Sequence, residues 1–260
     1  MTTPTSTETS LATPAAPTAR HRTGYRVGDP PSIVALATDG LRALILNGTL
    51  GPGERVVETR VAELLTVSRP PLREAMKVLE NEGLIQSIPR RGAIVTPMTL
   101  HDVYEIVTLR ATLEEMAVRI GIPTPAAGRL DRLHEALALM EANAAAGTEA
   151  TATEDSYRFH LALVALSGHR RLEDAYRSMA LQLQMYLNLN RRARAGRESL
   201  TDRAARHRAL YNSVVAGDVD AVLEELKGDT SLSFVREFGA TLPAGSPAAQ
   251  AWLDGILASS

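Results

Sequence analysis

The 260-residue chain contains no cysteine. That excludes disulfides, thiolate-bound zinc and a thiol nucleophile together, and it suits a reducing compartment. Aromatic residues make up only 4%, too few for the stacking platform on which single-stranded nucleic acid is read. No apolar run approaches the roughly 20 residues of a membrane helix. The first 19 residues lack the charged start and apolar centre of a signal peptide, so the expectation is a cytoplasmic protein with no membrane partner. His-Glu-x-x-His, Gly-x-Ser-x-Gly and P-loop signatures are all missing, which argues against an enzyme. A large net charge is missing too: 28 Lys+Arg stand against 30 Asp+Glu.

That near balance hides an asymmetry. Residues 20–98 carry 11 Lys+Arg against 8 Asp+Glu, whereas residues 99–260 carry 17 against 21. A small basic N-terminal region ahead of an acidic remainder is expected where only the first part meets phosphate. With 45% hydrophobic and 22% charged residues, the composition is that of a globular protein, and the length predicts two domains.

Four segments are expected. Residues 1–28, rich in Thr, Pro and Ala, read as a disordered arm. Its basic end, Arg20, His21, Arg22 and Arg26, reads as a solvated linker in preference to a DNA-contacting arm. Residues 29–98 read as three helices and a hairpin. Ile33, Leu36, Ala37, Leu41, Leu44 and Ile45 mark the first helix. After the Gly51-Pro52-Gly53 turn, Val57, Val61, Leu64 and Leu65 mark the second. Leu72, Ala75, Met76 and Leu79 mark the third, with Pro71 in its first turn. The period then changes, and Leu84–Ile88 and Ala93–Thr96 flank a basic tip at Pro89-Arg90-Arg91-Gly92. This is a winged helix-turn-helix. Residues 99–239 show only helical pattern, over about 100–120, 126–146, 152–167, 171–194, 199–216 and 219–238, and read as a helical bundle. Residues 240–260 form a tail with a short helix near Trp252. The fold class is mainly α, with one small β-hairpin.

On the third helix Arg69, Arg73 and Lys77 recur every four residues, opposite the apolar stripe. One face packs while the other is cationic, as a helix lying in the major groove of double-stranded DNA requires. Arg69 and Arg73, near the helix start, suit guanine edges, and Lys77 suits phosphate. Three basic residues at this spacing also describe a solvated helix face. The Arg90-Arg91-Gly92 tip, placed where a wing would meet the adjacent groove, favours the first reading.

Val61-Ala62-Glu63-Leu64-Leu65, Val67-Ser68-Arg69-Pro70-Pro71-Leu72-Arg73-Glu74-Ala75, Leu79-Glu80-Asn81-Glu82-Gly83-Leu84 and Pro89-Arg90-Arg91-Gly92 together resemble the GntR family of bacterial regulators. The resemblance implies contacts to DNA from Ser68, Arg69, Arg73 and Lys77 and from the wing at Arg90, Arg91 and Gly92. Pro70 stands where the family commonly has Thr, and Thr59 where the fatty-acid-responsive branch often has Arg. Both departures remove phosphate anchors.

The helical region resembles the FadR-type C-terminal (FCD) domain of that family. The resemblance rests on Leu109–Glu114, Phe159-His160-Leu161, His207-Arg208-Ala209-Leu210 and Ala216-Gly217-Asp218. It implies a divalent metal (zinc, nickel or manganese) held by an Asp and three His. Here His160 and His207 match, Asp229 takes the place of the third histidine, and Ser156 replaces the acid, with Asp155 beside it. Without the resemblance both histidines read as hydrogen-bonded core residues. Arg110 reads either as the anchor of a small carboxylate effector or as half of a buried pair with Glu114 one turn on. The expected protein is a homodimeric, ligand-responsive transcriptional repressor bound to a pseudo-palindromic operator. The rivals are a metal-dependent hydrolase using His160, His207 and Asp229, and a DNA binder with no sensor.

Overall fold

The structure is a computed structural model, and it describes residues 31–90, 92–122, 128–227 and 232–258. The expected arm at 1–28 lies outside them, as do Arg91 and Asp229. Helix α1 (Ile33–Leu46) turns Ala37, Leu41 and Ile45 inward, while Ile33 and Leu36, expected on the same face, are exposed. Helices α2 (Glu58–Leu65) and α3 (Arg69–Asn81) follow. Pro70 and Pro71 fall in the first turn of α3, where no amide has an intrahelical acceptor and none is missed. Leu72, Ala75 and Leu79 are buried beneath it. Arg42 of α1 forks onto Glu82 just past the end of α3, with Nε and Nη2 donating at 3.1 and 2.7 Å.

Strands β1 (Arg55–Val56), β2 (Ile85–Ile88) and β3 (Gly92–Val95) form an antiparallel sheet in the order β1-β3-β2. Val56 pairs with Ala93, and Ile88 with Gly92. The β2–β3 hairpin is the expected wing. Strand β1 was not expected, and it corrects the second helix. The Gly51–Gly53 turn lays Arg55 and Val56 along β3, so Val57 stays extended (φ −86°, ψ 106°) as the residue that precedes α2. Leu64, assigned to the inner face, points to solvent.

The rest is helical: α4 (Leu100–Gly121), α5 (Arg129–Ala145), α6 (Ala152–Ala165), α7 (Arg170–Ser178), α8 (Ala180–Ala193), α9 (Leu200–Ala216), α10 (Val219–Lys227), α11 (Ser233–Phe238) and α12 (Pro247–Ala258). Helix α4 opens on a capping box in which the Thr99 hydroxyl accepts from the Asp102 amide and the Asp102 carboxylate accepts from the Thr99 amide. The single helix expected over 171–194 is two, broken at Met179 (φ −97°, ψ 7°). Neither Gly nor Pro marks that break, and nothing local explains it. The helix expected over 219–238 is likewise α10 and α11.

The tail docks on the start of α4. The Leu100 amide donates to the Pro243 carbonyl at 2.9 Å, and Trp252 packs edge-on to Tyr104. Packing does not stop at residue 98. One apolar cluster runs from Leu41, Leu72 and Val95 through Leu100 and Tyr186 to Leu253 on α12. A second, around Leu133, Phe159, Leu163 and Leu210, fills the other half of the bundle.

Candidate nucleic-acid interface and ligand cavity

The face of α3 opposite its buried stripe meets β1 and the wing across a shallow groove. Arg55, Arg69, Arg73 and Arg90 all line it, with Glu58 the one acid on its wall among the described residues. Arg69 makes no hydrogen bond or ion pair among the described residues, so its guanidinium is available. Arg73 is held by Glu58, with Nε donating to both carboxylate oxygens at 3.1 and 3.0 Å. Arg73 is largely solvated and Glu58 partly so, and a pair this open to water is worth about 0–1 kcal/mol, so phosphate or a base edge can displace the acid. At the tip Arg90 has φ 65° and Gly92 φ 84°. The second suits glycine, because the αL region is unfavourable for a side chain.

Ser68 precedes the first turn of α3 and faces an adjoining depression shared with Thr59, Thr66 and Arg69. Its side chain does not cap the helix. Lys77 is exposed and paired to Glu74 at 2.8 Å, further along α3 and off the groove. Arg55 was missed in the sequence because a two-residue strand between a turn and a helix carries no period.

In the bundle, α4, α6, α8, α9 and α10 surround a cavity of about 260 Å³. At one end the Glu114 Oε1 accepts from Arg110 Nε and Tyr176 Oη at 2.8 Å each, and lies 3.2 Å from His160 Nδ1. The buried pair expected for Arg110 therefore exists, and the same guanidinium still faces the cavity. Burial opposes the charge on Glu114, yet Arg110 and His160 beside it hold the carboxyl down to about 2.

Arg110 Nη2 sits 3.2 and 3.1 Å from the two ring nitrogens of His160. His160 is then a neutral imidazole donating from Nδ1 to Glu114 and accepting at Nε2. His207 donates from Nδ1 to the Arg203 carbonyl at 2.8 Å, which turns its Nε2 lone pair toward Ser156 Oγ at 3.4 Å. The two rings lie 5.4 Å apart.

Among the described residues these donors do not fit a divalent cation. A guanidinium stands at the nitrogen that His160 would offer a metal. Asp155 is turned away, taking hydrogen bonds from Asn143 and Thr151. Among the described residues no three His, Asp or Glu side chains converge, and Asp229 lies outside them.

Both imidazoles are pushed below their ordinary range, by burial first and then by positive charge, that of Arg110 on His160 and that of His160, once protonated, on His207. The unfolded chain, with imidazoles near 6.5, therefore takes up protons first as the pH falls. Stability is unaffected well above 6.5, then drops below it until the lower folded-state values are passed. The loss is on the order of 1 kcal/mol per pH unit for each ring. Urea midpoints at pH 7.5 and 5.5 check this; a loss of the same size in a His160→Gln/His207→Gln double variant would contradict it.

Four more arginines stand on the remaining wall, beside Leu187, Asn190, Leu210 and Leu226. Arg191 comes from α8 and Arg194 from just past its end, Arg203 and Arg206 from α9. Glu198 binds both Arg194 and Arg206, at 2.5 and 2.6 Å. Arg191 pairs with Glu149 at 2.6 Å and donates to Asn188 at 3.1 Å. The next residue, Arg192, leaves the bundle and donates to the Gly48 carbonyl at 2.9 Å, at the end of α1. Sequence reasoning found none of these cavity arginines. One signal was present, since Arg203 and His207 lie four apart on one face of α9.

Residues 36–95 match the family described as bacterial regulatory proteins, gntR family, and residues 105–228 match the FCD domain. The HTH-type transcriptional regulator YdhC of Bacillus subtilis is 39% identical over 135 residues, 52% of this chain but only 60% of its own length. An HTH-type regulator from the ttuE-ttuC' intergenic region of Agrobacterium vitis is 31% identical over 51% of this chain and 79% of its own. A GntR transcriptional regulator from Rhodococcus sp. RHA1 superposes with a TM-score of 0.62 at 27% identity, over 80% of this chain and 98% of that one. Its relatives are regulators, not enzymes. The chain belongs to the GntR family of bacterial transcriptional regulators and carries an FCD domain behind its winged helix-turn-helix.

Proposed function

We propose that the protein is a repressor that binds double-stranded DNA as a homodimer on a pseudo-palindromic operator, and that a small carboxylate in the bundle cavity releases it. The observation that carries this reading is the groove between α3 and the wing, where four arginines from three separate elements face one way. Arg69 and Arg73 read base edges; Ser68, Lys77, Arg90, Arg91 and Gly92 meet the backbone. A regulator of this kind acts where the DNA is, in the cytoplasm.

Leu109, Met116 and Ile120 on α4 are each more than two-fifths exposed. Leu113 lies among them, giving the 4-3-4 spacing of a helix seam, and this face supports pairing of two bundles. The cavity supports an effector and weighs against a sealed architectural binder. Helix α8 supplies the link, with Arg191 on the cavity and Arg192 on Gly48, so a ligand that draws in the first displaces the anchor of the second. Such coupling needs only a difference in ligand affinity between the two placements of the reading head. Nothing favours the hydrolase alternative.

Fluorescence anisotropy with duplex DNA from upstream of the protein's own gene, against a scrambled duplex, tests the reading. Selective binding is expected, weakening steeply with salt. Equal affinity for both duplexes would leave an electrostatic binder only, and no binding would overturn the proposal.

A further inference from the structure

We propose that the cavity ligand is a compact anion carrying two or more negative charges, gripped directly by Arg203 and Arg191 rather than through a metal ion. This rests on the reading of the cavity as the effector site. Arg203 is nine-tenths buried on the cavity wall. Its guanidinium reaches one acceptor among the described residues, the Ala152 carbonyl at 3.5 Å, and no carboxylate. A buried cation so poorly matched is rarely left without a counter-charge. Burial, against the pull of Glu198 and with Arg191, Arg194 and Arg206 close by, pushes Arg203 down to about 10, so it stays charged at neutral pH.

Arg191 supplies a second unsatisfied donor from the facing helix. Its Nε is buried with no partner, and its ion-pair partner Glu149 is two-thirds exposed. Two guanidiniums on two helices, each with N–H groups to spare, match two acidic groups on one small molecule, since each fork suits a planar carboxylate or a phosphate. Among the described residues that line the wall, five arginines stand with one acid, Glu225, which is exposed. A cavity of about 260 Å³ suits a small metabolite. The lone pair on His207 Nε2 can accept from a ligand hydroxyl.

The test is titration calorimetry on the full chain with citrate, succinate, inorganic phosphate and butyrate, each with and without EDTA. Citrate or succinate is expected to bind at least tenfold tighter than butyrate, unchanged by EDTA. Phosphate in their place would assign the anion to phosphorylated rather than carboxylic ligands. Arg203→Met should weaken binding about 10- to 100-fold while leaving the ligand-free melting temperature unchanged or higher, because a poorly compensated buried charge is gone. Arg203→Lys should recover part of the affinity. Butyrate binding as tightly as succinate, or binding abolished by EDTA and restored by zinc or manganese, would overturn the proposal and leave an effector cavity standing. So would wild-type affinity in Arg203→Met. Failure of every anion, together with failure of neutral sugars, would remove both.

Discussion

Replacing Glu114 with Gln is expected to destabilise the protein by roughly 3–5 kcal/mol, the range for breaking a buried ion pair from one side. The change keeps shape and one acceptor, so what it isolates is charge. One oxygen of Glu114 holds Arg110, Tyr176 and His160 together, and the three lie in the interior. Without the carboxylate, Arg110 keeps its charge in a buried setting with only a neutral amide and an imidazole to answer it. Domains have stabilities of about 5–15 kcal/mol in all, so the loss should move the urea midpoint far while leaving the slope unchanged. Removing both partners together, Arg110→Met with Glu114→Met, should cost much less, because apolar replacement of a buried pair is often neutral or better. If E114Q alone shifted the midpoint no further than the double variant, the account of this cluster would be wrong.

In the reading head the largest effect belongs to Arg69→Ala, which should weaken binding to the cognate duplex by about 1–3 kcal/mol and relax discrimination at one position of the half-site. Arg73→Ala should fall in the same range but toward its lower end, since Arg73 must first leave Glu58. Lys77→Ala should weaken cognate and scrambled DNA alike and lower the salt slope by about one. Anisotropy titrations at several salt concentrations separate these outcomes. A uniform loss in R69A, with discrimination intact, would show that this arginine only meets phosphate.

The wing and the third helix were legible because local chemistry and tertiary need agree there: prolines where a helix can begin, an apolar stripe of period 3.6, and a glycine-ended basic tip between short alternating runs. Strand β1 was not legible. Two residues hold no pattern, and only the partner strand around Ala93 makes them a strand. The break at Met179 left no mark in the sequence for a different reason, since no residue type there disfavours helix. Leu64 misled because an apolar residue on a short helix carries little positional information once its neighbours are turns.

At the cavity, the His160 and His207 pair followed from family resemblance, and the structure brings the two rings together. The arginines on α8 and α9 did not follow. Spaced in threes along the chain, they carry no signal of a shared site, and only the closed bundle sets them on one wall. The same closure places Arg110 where the resemblance implied a metal.

Linkage between cavity and groove is reciprocal by thermodynamic necessity. The most direct measurement is operator affinity by anisotropy, with and without a saturating concentration of the anion that binds the cavity most tightly, in the wild type and in Arg203→Met. The anion is expected to weaken wild-type binding at least fivefold, corresponding to about 1 kcal/mol of coupling or more, and to leave the variant unaffected. Operator affinity unchanged in the wild type, with the cavity demonstrably filled, would contradict it.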